Sequence, residues 1–327
     1  MRFALRRLAF FVVTLWACLT LNFMLPRMMP GSPITAMMAK YHGRVTPQAL
    51  QAIENAFGVD THASLVTQYV RYLGDMATGN FGISLTVTGE PVSQVIKSAI
   101  PWTLGLVGVT TVLAFVLGTL IGILGAWRRG GWLDGILPPV FVITSAIPFF
   151  WIAMMLILLF SSQFHLFPPA GAYADTLTPS LSWAFVSSVV RYAFLPACAI
   201  LITSIGGWIL TMRNTMVTVL AEDYIRMARA KGLSGPRIMF WYAARNAILP
   251  NLSGFAMSLG FVVSGAILVE YVFSYPGVGY MLLQAVQNED YALMQALFLL
   301  ITVAVLVAIL LADIATALLD PRTRAAR

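Results

Sequence analysis

Six long apolar runs, none with an ionisable side chain, dominate this sequence. They cover residues 8–25, 102–126, 136–160, 192–212, 251–269 and 291–312, and none contains Asp, Glu, Lys, Arg or His. Each is about as long as a helix must be to cross roughly 30 Å of hydrocarbon. Backbone amides in lipid must bond within their own segment, so runs of this length predict helices. A transmembrane barrel needs shorter segments of alternating polarity, which are absent. Composition points the same way: 59% of the 327 residues are apolar and only 10% are charged, too few to cover a soluble protein of this size. The expected fold class is an all-α integral membrane protein with six transmembrane helices.

Positive charge sets the expected orientation. With the N-terminus in the cytoplasm, the inner segments hold Arg2, Arg6, Arg7, Arg128, Arg129, Arg213, Arg226, Arg229, Lys231, Arg237, Arg245, Arg322, Arg324 and Arg327, which is 14 of the 20 basic residues. The outer segments keep Arg27, Lys40, Arg44, Arg71, Lys97 and Arg191. Six crossings return the C-terminus to the cytoplasm. The net charge of +7 is thus a topology signal; the lipid bilayer is the expected partner, and nucleic acid is not. Arg2, Arg6 and Arg7 ahead of an apolar run also fit a signal peptide, but the run is long and no small-x-small site follows promptly, so a retained helix is expected. Cys18 and Cys198 fall inside spans and read as buried thiols. His42, His62 and His165 have no metal-ligand spacing.

Residues 30–100 form an outer insertion between the first and second spans, far longer than a turn. It opens on Pro30-Gly31-Ser32-Pro33. Thr46-Pro47 reads as an N-cap with proline at the first helical position, and Leu50, Ile53 and Phe57 recur at helical spacing before Gly58. A second amphipathic stretch carries Leu65, Tyr69, Leu73 and Met76 before Gly79-Asn80-Phe81-Gly82, and Pro91 begins a third that runs to Pro101. A connector and a docking surface for an outer partner both fit this segment. Pro138, Pro139 and Pro148 in span three and Pro196 in span four predict bends. Gly118 and Gly122 in span two have the spacing that lets helices approach closely, within the chain or between subunits. Glu270 and Asp313 lie just past the ends of spans five and six and read as interfacial charges with access to water.

The cytoplasmic segment 213–250 is too patterned for a passive loop. Glu222 and Asp223 begin a short helix where negative charge suits the positive end of its dipole, and Arg226, Arg229 and Lys231 lie toward the other end. Gly232 is placed to end it. Ala228 and Ala230 leave room for a partner's surface. A second helical run leads to Pro250.

The stretch Asp223-Tyr224-Ile225-Arg226-Met227-Ala228-Arg229-Ala230-Lys231-Gly232, with Arg245-Asn246-Ala247-Ile248-Leu249-Pro250 behind it, resembles the coupling loop of binding-protein-dependent ABC importer permeases, nearest the oligopeptide/dipeptide type. Phe57-Gly58-Val59-Asp60, Gln68-Tyr69, Gly79-Asn80-Phe81-Gly82, Pro91-Val92 and Ala99-Ile100-Pro101-Trp102-Thr103-Leu104 resemble that family's outer region and second helix. Glu270 to Phe273, Pro276-Gly277-Val278-Gly279, Asp290-Tyr291 and Leu319-Asp320-Pro321-Arg322 resemble its C-terminal part. The general importer signature opens Glu-Ala-Ala and has a shorter spacing to its proline. Arg226-Met227-Ala228 and the longer distance from Gly232 to Pro250 are as the peptide subgroup has them.

The resemblance implies a type I importer permease fold, with an N-terminal helix (1–29), the extracytoplasmic insertion (30–100), a permease core (101–320) and a cytoplasmic tail (321–327). It implies a bacterial cytoplasmic membrane and four kinds of partner: a second homologous permease, two ATPase subunits, an extracytoplasmic binding protein and lipid. Glu222, Asp223, Tyr224, Arg226, Ala228, Arg229, Ala230, Lys231 and Gly232 would form the ATPase-coupling element, with peptides as cargo; oligosaccharides, nickel complexes and opines are the alternatives within the family. No Gly-x-x-x-x-Gly-Lys-Ser/Thr stretch occurs to cradle nucleotide phosphates. No cofactor is therefore expected in this chain, and ATP and Mg would belong to the ATPase partners. A self-sufficient ion-coupled carrier is the alternative of a different class, but such carriers need ionisable groups at membrane depth.

Overall fold

The computed structural model describes residues 2–28, 63–87, 89–263 and 267–319. The expected helix over 46–58 and the C-terminal tail lie outside them. The described residues are helical, with one isolated antiparallel bridge, Ile83 to Pro91, and no strands. In chain order the helices are α1 (Arg2–Met28), α2 (Leu65–Thr78), α3 (Val92–Trp127), α4 (Trp132–Ala146), α5 (Phe149–Gln163), α6 (Trp183–Leu220), α7 (Asp223–Ala230), α8 (235–247), α9 (Leu249–Val262), α10 (Ile267–Val272), α11 (Val278–Gln287) and α12 (Tyr291–Leu319).

Three helices among the described residues are long and apolar enough to cross a membrane: Val92–Trp127, Trp183–Leu220 and Tyr291–Leu311. The other three expected spans correspond to shorter apolar helices, Ala9–Leu25, Phe149–Gln163 and Leu249–Val262. Several boundaries differ from those expected. The third outer stretch does not end at Pro101 but runs directly into span two. Proline leaves a carbonyl one turn back without its donor, and the segment just after it, Leu104–Gly108, is π-helical. Span three breaks at Ile147, which is extended (φ −82°, ψ 125°) because the following Pro148 disfavours the helical conformation there. α4 passes through Pro138 and Pro139, and α6 through Pro196, without interruption. α6 reaches well past the expected 192–212 at both ends.

The chain divides into two units. The first contains α1, α2, α3 as far as Thr103, α11 and α12 as far as Val307. Its core joins Val92, Val95, Ile96 and Ala99 to Val278, Leu282 and Ala285 of α11 and to Leu293, Met294, Ala296 and Leu297 of α12. α2 is capped by Ser64, whose hydroxyl accepts from the Thr67 amide, and it ends at Gly79 in the left-handed region (φ 74°). Of its predicted inner face, Tyr69, Leu73 and Met76 are half-buried but Leu65 is exposed, and Tyr72 is the buried residue. Asn22 Nδ2 donates to Tyr72 Oη (3.0 Å) and to the Gln295 carbonyl (2.8 Å), tying α1, α2 and α12 together. Burial is the main reason the Tyr72 hydroxyl is pushed up to about 12.

Asp290 is the polar knot of this unit. Its side chain is fully buried. Oδ1 accepts from the Leu293 amide (3.0 Å) at the start of α12, and Oδ2 accepts from Ser84 Oγ (2.6 Å) and the amides of Leu85 (2.7 Å) and Thr86 (2.9 Å). One carboxylate thereby caps a helix and fixes the 84–86 turn, 204 to 206 residues away in sequence.

The second unit contains α3 from Leu104 and α4 to α9, together with Leu268–Tyr275 and the end of α12. α3 packs along α6 through the two predicted glycines. A Cβ at Gly118 would lie 2.6 Å from Trp208 Cβ, and one at Gly122 would lie 2.7 Å from the Ile209 carbonyl. The close neighbour is therefore internal. Asn251 at the start of α9 donates to Thr119 Oγ1 and the Trp208 carbonyl, both at 3.1 Å, so a third helix joins the pair. Glu270 corrects the expectation of an interfacial charge: it is 0% exposed. The chain turns back over it at once, with the Tyr275 amide donating to the Glu270 carbonyl (2.7 Å) and Phe273 and Tyr275 both buried. Burial, and next the Glu270 charge, push the Tyr275 hydroxyl up to about 12. Asp313 lies within α12, not past its end.

Two predictions follow from this packing. Gly122→Leu should lower stability by about 1–3 kcal/mol through overpacking, whereas Gly207→Ala, where an added Cβ meets nothing within 4 Å, should be neutral; thermal melting of the detergent-purified chain distinguishes them. Asp290→Ala should cost about 2 kcal/mol or more, since it strands donors that bonded a charged acceptor, and hydrogen exchange at residues 84–87 should rise while that of α7 stays unchanged.

Candidate functional site

The candidate site is the element built from α7 and α8, between α6 and α9. Glu222 takes the N-cap position of α7 in an extended conformation, without a side-chain cap bond, and Asp223 opens the first turn. Arg226 Nη1 lies 3.3 Å from Asp223 Oδ1, one turn apart and largely exposed, a pair worth roughly 0–1 kcal/mol. The helix ends in two bonds: the Gly232 amide donates to the Arg229 carbonyl (2.9 Å) and the Leu233 amide to the Ala228 carbonyl (3.3 Å). This is the Schellman arrangement, with Gly232 in the left-handed region at φ 75°. Glycine adopts that conformation freely; other residues lose about 1–2 kcal/mol there.

One face of α7 turns inward. Ile225 and Ala228 are buried against Ile123 and Ala126 of α3, Met212 and Met216 of α6, and Ile238, Met239, Ala243, Ala244 and Ala247 of α8. This corrects the reading of Ala228: at 3% exposed, it gives its room to the chain's own core, because three residues from Ile225 places it on the same face. Tyr224, though 37% exposed, bonds within the chain, accepting from Asn246 Nδ2 on α8 (3.0 Å). The outward residues are Glu222, Asp223, Arg226, Met227, Arg229, Ala230, Lys231 and Gly232.

Some outward residues escape sequence reasoning. Met227 is 61% exposed at the middle of α7. On α8, where 238–244 is π-helical, the consecutive aromatics Phe240, Trp241 and Tyr242 are all exposed, Trp241 at 70%. With Pro236, Arg237 and Arg245 they line a groove of about 840 Å³. Three adjacent aromatics inside an arginine-bearing segment were the available signal.

A second polar clamp stands beside this element. Arg213 Nε donates to Asp134 Oδ1 (2.6 Å), and the Gly130 amide donates to Oδ2 (2.9 Å), so α6 holds the turn between α3 and α4. These bonds hold the Asp134 carboxyl below its ordinary value, the Gly130 amide contributing most and Arg213 next.

With this geometry in hand, comparison with known proteins is decisive. Residues 118–325 match the model of the binding-protein-dependent transport system inner membrane component, and residues 1–107 match that of the binding-protein-dependent transport system membrane component, N-terminal. The chain belongs to this family. Among its relatives are the dipeptide transport system permease protein DppB of Lactococcus lactis, 32% identical over 325 residues and 99% of each chain, and the di/tripeptide transport system permease protein DppB of Pseudomonas aeruginosa, 34% identical over 336 residues and 98% of each. The oligopeptide transport system permease protein AppB of Bacillus subtilis is 32% identical over 323 residues and 98% of each. The chain is thus an inner-membrane transport component of a binding-protein-dependent system, and α7 and α8 lie within the matched region 118–325.

A carboxylate depressed in the folded state contributes stability that is full above its unfolded value and is lost as pH falls through the folded one. The Asp134 clamp should therefore be intact at neutral pH and loosen only as pH drops below about 3.8. Asp134→Asn should remove that acid-side step from thermal melting followed at stepped pH.

Proposed function

We propose that the chain is one of two membrane-spanning subunits of an ATP-driven importer, forming half of the pathway for peptides delivered by an extracytoplasmic binding protein. The peptide cargo rests on the relatives, which are named for di-, tri- and oligopeptides across essentially their whole length. The remainder of the reading is a type I permease with six spans, both termini cytoplasmic, an outer insertion over 30–100, a second homologous permease and two ATPase subunits that bind ATP and Mg.

The observation that carries the coupling role is the two-sidedness of α7. Its outer face is free for a partner, and its inner face is packed on the cytoplasmic ends of α3 and α6. A partner that seats on Glu222, Asp223, Arg226, Arg229, Ala230 and Lys231 and then moves would displace Ile225 and Ala228, and with them Met212 and Met216. Tyr224 and Ala228 act on the chain's own side of this joint, and Gly232 fixes where the helix stops. Interiors this closely packed pass on displacement and do not absorb it. Energy enters through the ATPases, consistent with the six apolar runs of the sequence, which carry no Asp, Glu, Lys, Arg or His for ion coupling.

Gly232→Val tests this in the assembled transporter reconstituted with its binding protein. ATPase activity should persist while peptide uptake falls by about tenfold, with membrane insertion unchanged; the basis is the roughly 1–2 kcal/mol of strain placed at the end of α7. Uptake and coupling ratio equal to the unaltered protein would remove this segment from the mechanism.

A further inference from the structure

The groove on α8 is not used by the coupling role, and its position and chemistry point to a different occupant. Both ends of α8 are held at the level where apolar helices end. At one end Gly235 lies against the indole of Trp127, the last residue of α3, where an added Cβ would be 3.4 Å from Trp127 Cζ2. At the other end Ala247 is two residues from Leu249, the first residue of α9. The inward residues Ile238, Met239, Ala243 and Ala244 share a core with Ile123 and Ala126 of α3. α8 therefore lies along the edge of the apolar region and does not project away from it.

The outward side has the composition of a headgroup site. Arg237, Trp241 and Arg245 follow at intervals of four residues and line one groove with Phe240 and Tyr242. No carboxylate lines it, and neither arginine has an ion-pair partner among the described residues. Guanidinium groups match the geometry of phosphate with paired donors. Tryptophan and tyrosine favour the headgroup level of a bilayer, and basic pockets at the cytoplasmic edge of membrane helices accept anionic headgroups. About 840 Å³ is ample for a glycerophosphate.

We propose that the Arg237–Trp241–Arg245 groove binds the phosphate headgroup of an anionic phospholipid, the two arginines holding the phosphate and Phe240 and Trp241 packing on the glycerol and upper acyl chains. The site is independent of the cargo and of what seats on α7. An ordered lipid there would fill the exposed flank of α8 and brace the helix on which Ile225 and Ala228 rest.

Native mass spectrometry of the full transporter, titrated with dioleoylphosphatidylglycerol or dioleoylphosphatidylcholine, tests it. The unaltered protein should retain phosphatidylglycerol preferentially. The double variant R237Q/R245Q should lose that retention by about thirtyfold, as expected for two basic residues at an anionic surface. R128Q/R129Q, which removes equal charge from the neighbouring turn, should stay near the unaltered protein, and R237K/R245K, keeping charge without the paired donors, should fall between. Inorganic phosphate at millimolar concentration should not compete. Equal retention in R237Q/R245Q, an equal loss in R128Q/R129Q, or displacement by inorganic phosphate would each overturn the assignment. So would unchanged lipid retention with loss of the ATPase subunits, which would make the groove a protein-docking surface.

Discussion

Helices in a bilayer gain little by burying apolar surface against one another, because lipid tails are equally apolar. Association falls to close packing and to interhelical hydrogen bonds. In the second unit both are supplied along one seam. Gly118 and Gly122 let α3 approach the backbone of α6 at distances a side chain would forbid, and Asn251 bonds across to Thr119 and the Trp208 carbonyl. Everything else in that unit relies on this seam. At one end of the seam Ile123, Ala126, Met212 and Met216 form the floor on which Ile225, Ala228 and the inner face of α8 rest. Were the two helices held apart by a side chain's width, that floor would open.

The first unit solves its assembly problem with polar groups. A buried carboxylate is costly unless its lone pairs are satisfied. Asp290 meets this with four donors, three of them from the distant 84–86 turn. Asn22 plays a similar part among α1, α2 and α12. Such bonds are directional, and so they set register where apolar packing alone would allow sliding. The 84–86 turn is thus held to the start of α12 by a contact that tolerates little displacement.

Much of this was legible in the sequence. The apolar runs located the helices that matter, Gly79 marked the end of α2, the Gly118/Gly122 spacing marked the seam, and Gly232 marked the end of α7. What escaped has identifiable causes. Hydropathy marks where lipid lies and not where a helix stops, so the polar continuations of α3 and α6 were read as separate segments. Pro148 breaks a helix while Pro138, Pro139 and Pro196 do not, a distinction that depends on the neighbours of each. Glu270 looked interfacial because nothing local announces that the following turn folds back over it. Ala228 was small enough to serve either face of α7, and only the position of Ile225 decides which. Asp290 could be matched to a family motif, but three of its four donors lie some two hundred residues upstream, beyond any local pattern.

The length of α6 has a mechanical meaning. Its 38 residues make a rod of about 57 Å, gripped near both tips. Toward its N-terminal end the Ser188 hydroxyl accepts from the Ala174 amide, Arg191 donates to the Leu166 carbonyl, and Phe194 stacks on Phe167 with ring centres 4.6 Å apart. Toward its C-terminal end Met212 and Met216 are embedded beside α7. A shaft held near both tips ties the Met212–Met216 floor to the 164–174 loop, so that while α6 stays straight the two cannot shift independently. Pro196, lacking an amide to complete the helical bonding, is where such a shaft would flex if it yields at all.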